Sequence, residues 1–306
     1  MPPSKLANLQ RGLGLLVMLI ALIWLLASAQ AGLSWAWRLL GLLLVLLPHA
    51  SVLAIEFLLL ARFSHSHPAL RPGPAQLMRA WLGEVWMGVL TFGWRQPWQP
   101  NAVPDHLPSA AQGRRGIVLI HGFVCNRGLW TPWLRRLRAN DLPFVAINLE
   151  PVFGDIDDYV PLIDAAVSRL QAATGVPPLV VAHSMGGLAT RAWLNARQAD
   201  ARCAGVVTIG TPHHGTWLAR FAMTANGRQM QQAGSWLQAL AAVEPLTRYQ
   251  RFTCFFGHCD NIVFPAATAT LPGADNRHLA GTAHVDMVMR PEVWDEVMRR
   301  LALPGG

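Results

Sequence analysis

The sequence has 306 residues, of which 52% are hydrophobic and only 14% charged, a composition that excludes an average soluble protein. The formal net charge is +8, and Lys5 is the only lysine. The arginines are scattered and form no basic run with interleaved aromatic residues. This pattern argues against nucleic acid as a partner and favours affinity for a membrane with an anionic surface.

Two apolar segments lie within the first 61 residues. Residues 12–29 are apolar throughout, and residues 39–61 form a second apolar run that contains Pro48 and Glu56. Each is long enough to cross a bilayer as a helix, which takes about 20 residues. Residues 1–61 are therefore predicted to form a transmembrane helical hairpin. Glu56 is expected to snorkel or to lie buried within the hairpin.

The linker between these two segments contains one positive residue, Arg38, whereas the other flanking positive residues lie outside it. The positive-inside rule then predicts a multi-pass protein of a bacterial-type inner membrane, with the C-terminal domain in the cytoplasm. One alternative stays open, because Ala27-Ser28-Ala29 resembles a signal-peptidase site. The domain would lie outside only if the second segment did not span the membrane.

Residues 62–114 form a connector that is rich in proline, histidine and arginine. Between Met78 and Leu90, apolar residues that include two tryptophans recur at helical spacing. A helix of this kind either lies in the membrane interface, where tryptophan is enriched, or packs on the domain that follows. Four prolines between residues 97 and 108 then indicate a linker.

From residue 115 onward, short apolar segments alternate with helical segments. Such alternation is typical of an α/β domain, and residues 115–306 are predicted to form one with a mostly parallel sheet and right-handed crossovers. The carboxyl ends of the strands then meet at one edge, where sites form in this architecture. The predicted strands are 116–120, 144–148, 179–182, 205–210, 252–257 and 277–280, and the clearest helices are 159–173 and 185–198.

Ser184 is the predicted nucleophile. It directly follows the apolar strand 179–182, and small residues, Ala182 and Gly186, stand two positions before and after it. A strand that leads through a sharp turn into a helix is the arrangement in which a strained backbone presents a serine hydroxyl above a sheet. Ala182 departs from this motif, which has glycine at that position in its usual form.

His121-Gly122-Phe123 follows the first predicted strand. Gly122 would let the chain turn back, so that the amide of Phe123 points into the site. Together with the amide of Met185, it would form an oxyanion hole for the negative charge that grows on a carbonyl oxygen in the transition state. His121 is expected to fix this loop through its ring and, with Gly122, to lie beside the substrate.

Two further candidates follow later strands. Asp260 comes just after the strand that ends at Gly257, and it is the predicted acid that orients an imidazole. His284 lies in the loop after the last strand and is the predicted general base. Asp275 is the alternative acid, although it precedes the last strand.

Together, these motifs resemble the α/β-hydrolase superfamily. The resemblance rests on His-Gly-Phe at 121–123, Ala-His-Ser-Met-Gly-Gly at 182–187, Gly-Thr-Pro-His-His-Gly-Thr at 210–216, and the chain order Ser, Asp, His. Within the superfamily, residues 115–303 look like bacterial triacylglycerol lipases and esterases and the inositol-deacylase-like group. The resemblance implies hydrolysis of carboxylic esters through an acyl-enzyme.

The segment 212–250, between the fourth and fifth strands, is rich in apolar residues. It is expected to form either a helical cap over an acyl-binding cleft or an ordinary helix pair on the sheet. His213 and Trp217 are expected to line the site. An apolar cap beside a membrane segment favours a lipid-like ester as the substrate. Acyl transfer by the same three residues and a catalytically silent membrane scaffold are the alternatives.

No cofactor and no metal are expected. Asp286 stands two residues after His284, where some lipases bind calcium, but residues 216–251 contain no second aspartate. The four cysteines include no C-x-x-C pair, which argues against a zinc ribbon. Free thiols are favoured, with a bridge between Cys254 and Cys259 as the alternative.

Overall fold

The computed structural model describes residues 4–64 and 71–302. Part of the predicted connector (65–70) and both ends of the chain (1–3 and 303–306) lie outside the described residues. The N-terminal part is helical up to the linker. Its helices are α1 Lys5–Gln30, α2 Trp35–Leu46, α3 Pro48–Phe63, α4 Pro74–Gly88 and the short α5 Gln96–Trp98, with a π-helical stretch Val89–Arg95 between the last two.

The second predicted membrane crossing, residues 39–61, is not one helix, and the structure corrects this prediction. Helix α2 ends at Leu46 and α3 begins at Pro48, with a bend of 61° between them. The bend lies at Pro48 because proline has no N–H to donate and its ring clashes with the preceding turn. Among the described residues, α1 is the one continuous helix that qualifies by length and composition as a span or a signal sequence. The bent pair of α2 and α3 qualifies as a broken span or a re-entrant loop.

Helices α3 and α4 pack on the α/β domain. Phe57 and Leu60 of α3 and Ala80 of α4 are buried in one apolar cluster with Phe264, which belongs to the loop after the fifth strand. The helix predicted between Met78 and Leu90 therefore contacts the domain with one face. On its other face, the side chain of Trp86 remains 63% exposed.

A six-stranded sheet forms the centre of the α/β domain, with the order β2-β1-β3-β4-β5-β6 and every neighbouring pair parallel. This confirms the predicted α/β class. The last strand begins two residues earlier than expected, because it is a polar edge strand without an apolar run to mark its start. The strands are β1 Ile117–Ile120, β2 Phe144–Ala146, β3 Leu179–His183, β4 Gly205–Ile209, β5 Phe252–Phe256 and β6 Asp275–His278.

Helices cover both faces of this sheet. Successive side chains of a strand point to opposite faces. Ile117 and Leu119 of β1 accordingly lie in one core layer, and Val118 and Ile120 lie in the other. Helices α6 Thr131–Ala139 and α12 Pro291–Ala302 cover the first layer, α7 Val160–Thr174 and α8 Met185–Ala196 cover the second, and α9 Ala225–Gln229, α10 Ser235–Val243 and α11 Leu246–Tyr249 form a cap between β4 and β5.

Candidate active site

Ser184 lies in the sharp turn between β3 and α8, at the carboxyl edge of the sheet. Its backbone has φ 54° and ψ −130°, a conformation that is strained for any residue with a side chain. The turn is tight because its neighbours are small. A β-carbon on Gly186 would lie 2.5 Å from the carbonyl oxygen of His121, so α8 approaches β1 closely only with glycine there.

The loop after β1 lies directly against this turn. A β-carbon on Gly122 would lie 2.6 Å from Cβ of Ser184, so only glycine allows the loop to come this close. Phe123 follows and is partly buried, with its ring 5.9 Å from that of Phe153. Met185 is the first residue of α8, so its amide is one of those that a helix leaves without an internal partner.

Asp260 and His284 form a buried pair. Oδ2 of Asp260 lies 3.0 Å from Nδ1 of His284. The other oxygen, Oδ1, accepts hydrogen bonds from the amides of Ile262 and Val263 at 2.9 and 2.7 Å. The carboxylate is therefore fixed by two backbone donors, and it orients the imidazole through its remaining oxygen.

This pair lies beside the turn that carries Ser184. The ring of His284 lies 4.6 Å from that of His183, the residue before Ser184, measured between centroids. Gly210, directly after β4, is packed tightly against this pair, because a β-carbon there would lie 3.1 Å from both Asp260 and His284. The chain that follows β3, β5 and β6 thus brings Ser184, Asp260 and His284 to one edge of the sheet.

Asp275, the alternative acid, does not reach the imidazole. Its carboxylate is partly exposed on β6 and forms an ion pair with Arg277 at 2.8 Å. Asp260 is therefore the acid that contacts His284.

Charge around His284 favours its protonated form. Burial alone would disfavour a charged imidazole, but the charge and the hydrogen bond of Asp260, aided by the nearby Glu84, outweigh it. The pKa of His284 is consequently raised above its ordinary value of 6.5. A raised pKa makes the ring a stronger base, which suits it to take a proton from a hydroxyl group.

The rings of His121 and His213 are both engaged by neighbouring groups of the protein. Nδ1 of His121 bonds to the carbonyl of Gly122 at 2.9 Å, and Nε2 accepts from the amide of Leu149 at 2.9 Å. His213 is buried in the core with Nε2 3.1 Å from Oγ1 of Thr208. Burial lowers the pKa of both rings, that of His121 to about 4. Both therefore hold loops as neutral rings, and their contact with substrate stays a prediction.

Trp217 connects the cap with the N-terminal helices. Its ring stacks on Phe63 at the end of α3, with the centroids 4.2 Å apart, and lies 5.8 Å from the ring of Phe264. Only 9% of Trp217 is exposed. The Trp217 ring therefore packs against α3 and against the loop that follows Asp260.

A buried ion pair anchors the cap. Arg191 of α8 donates from Nε to both oxygens of Glu244 at 3.1 Å, and from Nη1 to the carbonyl of His213 at 2.9 Å. The hydroxyl of Tyr249 donates to the same Glu244 at 2.8 Å. Because removing one partner would leave a buried charge unpaired, the pair fixes the cap on the helix that follows Ser184.

Two carboxylates near the site were not anticipated as part of it. Glu84 of α4 accepts from the amide of Val285 at 2.9 Å, and Glu56 of α3 accepts from the side chain of Asn261 at 2.7 Å. Glu56 thus reaches across to the α/β domain, rather than snorkelling or lying within a hairpin. One feature of the sequence could have drawn attention to them, since Glu56 and Glu84 are the only acidic residues before Asp105.

Within the described residues, no group of three or more His, Cys, Asp or Glu side chains is arranged to hold a metal ion. All four cysteines are buried and unbridged, and burial raises the pKa of Cys254 and of Cys259 to about 11. These thiols therefore stay protonated at neutral pH and are poor nucleophiles.

Comparison with known proteins supports the fold. The sequence profile described as the Alpha/beta hydrolase family matches residues 117–303. No curated protein matches the chain. Mature lipase BlEst2 of Bacillus licheniformis is 18% identical with a TM-score of 0.57, over 64% of this chain and 96% of that one. Lipase B of Aspergillus fumigatus is 21% identical with a TM-score of 0.58, over 67% and 57% respectively. At such identities, the likeness shows a shared fold.

Proposed function

Because the chain belongs to the alpha/beta hydrolase family, we propose that it is a membrane-anchored serine hydrolase that cleaves lipid-like carboxylic esters through an acyl-enzyme. The observation that carries this proposal is the bond between Asp260 and His284 beside the strained turn of Ser184. Both structural neighbours are lipases by name, which favours an ester as the substrate.

In the first half of the reaction, Oγ of Ser184 attacks the acyl carbon while Nε2 of His284 takes its proton. Asp260 accepts from Nδ1–H and stabilises the imidazolium. The amides of Phe123 and Met185 donate to the carbonyl oxygen as it becomes negative, which is worth about 100- to 1,000-fold in rate for one donor. The tetrahedral intermediate then collapses, and the leaving alcohol takes the proton from His284.

In the second half, water attacks the acyl group on Ser184 and gives its proton to His284. Collapse of this second intermediate releases the acid, and the proton returns to the serine oxygen. The ring thus accepts and returns one proton in each half, which requires it to be neutral at the start. Acyl transfer would differ only in that an alcohol or amine replaces the water.

The N-terminal helices support a membrane location. Helix α1 has 26 residues, about the length that spans a hydrocarbon core. Most of its apolar side chains are exposed. Its first turns bond to α5 through Gln10 and Arg11, and the amide of Lys5 donates to Glu150 of the α/β domain. Because α3 packs beside the site, the site lies close to the membrane surface, where a lipid-like ester is available. The most exposed of these apolar residues are Leu13, Leu15, Met18, Leu22, Ile23 and Leu26.

The side of the membrane depends on the bent pair α2–α3. As a broken span it returns the chain to the cytoplasm, and as a re-entrant loop it leaves the α/β domain outside. Arg62 lies in the last turn of α3, and Arg71 and Arg79 follow that helix. This positive charge favours the cytoplasm. Protease treatment of intact spheroplasts tests the assignment, because a cytoplasmic domain is protected until the membrane is opened.

The enzymatic assignment is tested with the purified chain in detergent and p-nitrophenyl esters of increasing acyl length. The wild type is expected to release acid and p-nitrophenol, and Ser184→Ala to lose about a million-fold in kcat. Product analysis with a competing alcohol separates hydrolysis from acyl transfer. Turnover that persists in Ser184→Ala would contradict the assignment.

A further inference from the structure

The loop that carries His284 is bound by a residue that lies before the part of the chain matched by the family profile. Glu84 precedes residues 117–303, yet its side chain is 3% exposed and faces this loop. Oε1 and Oε2 accept from the amide of Val285 at 2.9 and 3.1 Å. Oε2 also accepts from the amide of Asp286 at 3.1 Å. One carboxylate therefore binds the two amides that directly follow His284.

A second carboxylate supports the same loop from its other side. Oε2 of Glu56 accepts from Nδ2 of Asn261 at 2.7 Å, which fixes the amide group of that side chain. Oδ1 of Asn261 then accepts from the backbone amide of His284 at 3.3 Å. Three consecutive amides, from His284 to Asp286, are thus bonded directly or through Asn261 to helices of the N-terminal segment.

Apolar packing keeps these carboxylates in place. Leu60 of α3 and Ala80 of α4 are buried against Ala283, the residue before His284. The indole nitrogen of Trp81 donates to the carbonyl of Ala50 at 3.0 Å and so joins α4 to α3. Both helices are thus fixed against the loop, which keeps the two carboxylates beside its amides.

We propose that Glu84 is a positioning residue for His284, and that helices α3 and α4 thereby complete the active site. The inference rests on the proposed function, because it assigns a role within that site. The carboxylate acts in two ways. It fixes the backbone on which the imidazole stands, and its negative charge favours the imidazolium that forms when Ser184 loses its proton.

The titratable groups that face Glu84 are His284 and Asp260 at the carboxyl edge of the sheet, and Cys125 in the loop after β1. Burial raises the pKa of Glu84 to about 7, against the pull of its two amide donors and of His284. A fully buried carboxylate with no cationic lysine or arginine bonded to it is expensive to maintain. Buried ionisable groups of this kind cluster at functional sites, and Glu84 lies beside the loop that carries His284.

The test compares Glu84→Gln, Glu84→Asp and the wild type, with Glu292→Gln as the matched control on an exposed carboxyl of α12. Steady-state kinetics on a soluble ester are measured from pH 5 to 9 in detergent. For Glu84→Gln, we expect kcat to fall about 10- to 100-fold with little change in KM, because the imidazole is misplaced. The acidic limb of kcat/KM should also move to lower pH, since a negative charge near the ring is lost.

The other variants separate a positioning role from a purely structural one. Glu84→Asp keeps the charge, so its acidic limb should stay near that of the wild type, while Glu292→Gln should match the wild type throughout. Wild-type kinetics in Glu84→Gln would overturn the inference. A loss of activity that follows a lower melting temperature, with the acidic limb unmoved, would overturn it as well. An inactive wild type would instead overturn the proposed function, and the inference with it.

Discussion

Nδ1 of His284 lies 3.0 Å from Oδ2 of Asp260, a residue 24 positions earlier in the chain. The other oxygen of Asp260 is occupied by the amides of Ile262 and Val263. The carboxylate therefore cannot rotate away from the imidazole without losing two hydrogen bonds. Asp260, and not Asp275, is therefore the carboxylate that orients the imidazole of His284.

Asp260→Asn should lower kcat by about 1,000- to 10,000-fold with little change in KM, because an amide neither stabilises the imidazolium nor holds the correct tautomer. Steady-state kinetics on a soluble ester give both constants. Asp275→Asn is the control, since that carboxylate pairs with Arg277 on the edge strand. A loss of less than tenfold in Asp260→Asn, or a comparable loss in the control, would reject the assignment.

The pH dependence should reflect the raised pKa of His284. The ring must be neutral to accept a proton, so kcat/KM should fall as the pH is lowered through this pKa. Because the pKa is raised, the midpoint of the acidic limb is expected above 6.5, the ordinary value for histidine. A pH profile of kcat/KM at constant ionic strength measures it. A midpoint at or below 6.5 would show that Asp260 does not act on the ring as described.

Gly122→Ala should reduce activity by at least about 100-fold, because the new methyl group would lie 2.6 Å from Cβ of Ser184 and displace the loop that carries Phe123. Gly93→Ala is a suitable control, since a β-carbon there meets nothing within 4 Å. Kinetics on the soluble ester compare the two variants. Equal activity in both would mean that the loop after β1 does not shape the site.

Glu84→Gln should gain stability relative to the wild type as the pH rises. The pKa of Glu84 is about 7 in the folded chain against an ordinary 4.5, so the folded state binds more protons than the unfolded state between these values. Stability of the wild type therefore falls as pH rises through this window, whereas glutamine stays neutral. From pH 5 to 8 the difference should reach about 2 to 3 kcal/mol in unfolding free energy.

Thermal unfolding in detergent at several pH values measures this difference between Glu84→Gln and the wild type. We expect Glu84→Gln to combine a gain in stability at high pH with a loss of activity, as is common where a functional group opposes folding. If the gap between the two melting temperatures did not widen with pH, Glu84 would not be a carboxyl whose ionisation opposes folding.

The sequence was sufficient to predict the parallel sheet and the edge at which a site would form. Parallel strands are buried on both faces, so each one except the edge strand β6 appears as an apolar run, and the turn at Ser184 follows its strand directly. Asp260 and His284 were expected to lie together because the ends of parallel strands meet at one edge, and the structure brings the two side chains into contact.

The remaining features depend on contacts between distant parts of the chain. Glu84 and Val285 are 201 residues apart, and no local pattern links them. Length and composition likewise predicted a straight second crossing, although Pro48 marks the point where the helix bends. His213 was expected in the site because it follows β4, but its ring turns into the core toward Thr208.

The central claim, that Ser184 is an activated nucleophile, is tested most directly by labelling membranes that contain the wild type or Ser184→Ala with a fluorophosphonate probe. We expect the wild type to be labelled covalently and the variant to remain unlabelled. Labelling of both, or of neither even after detergent has opened the membrane and the cap, would contradict the account.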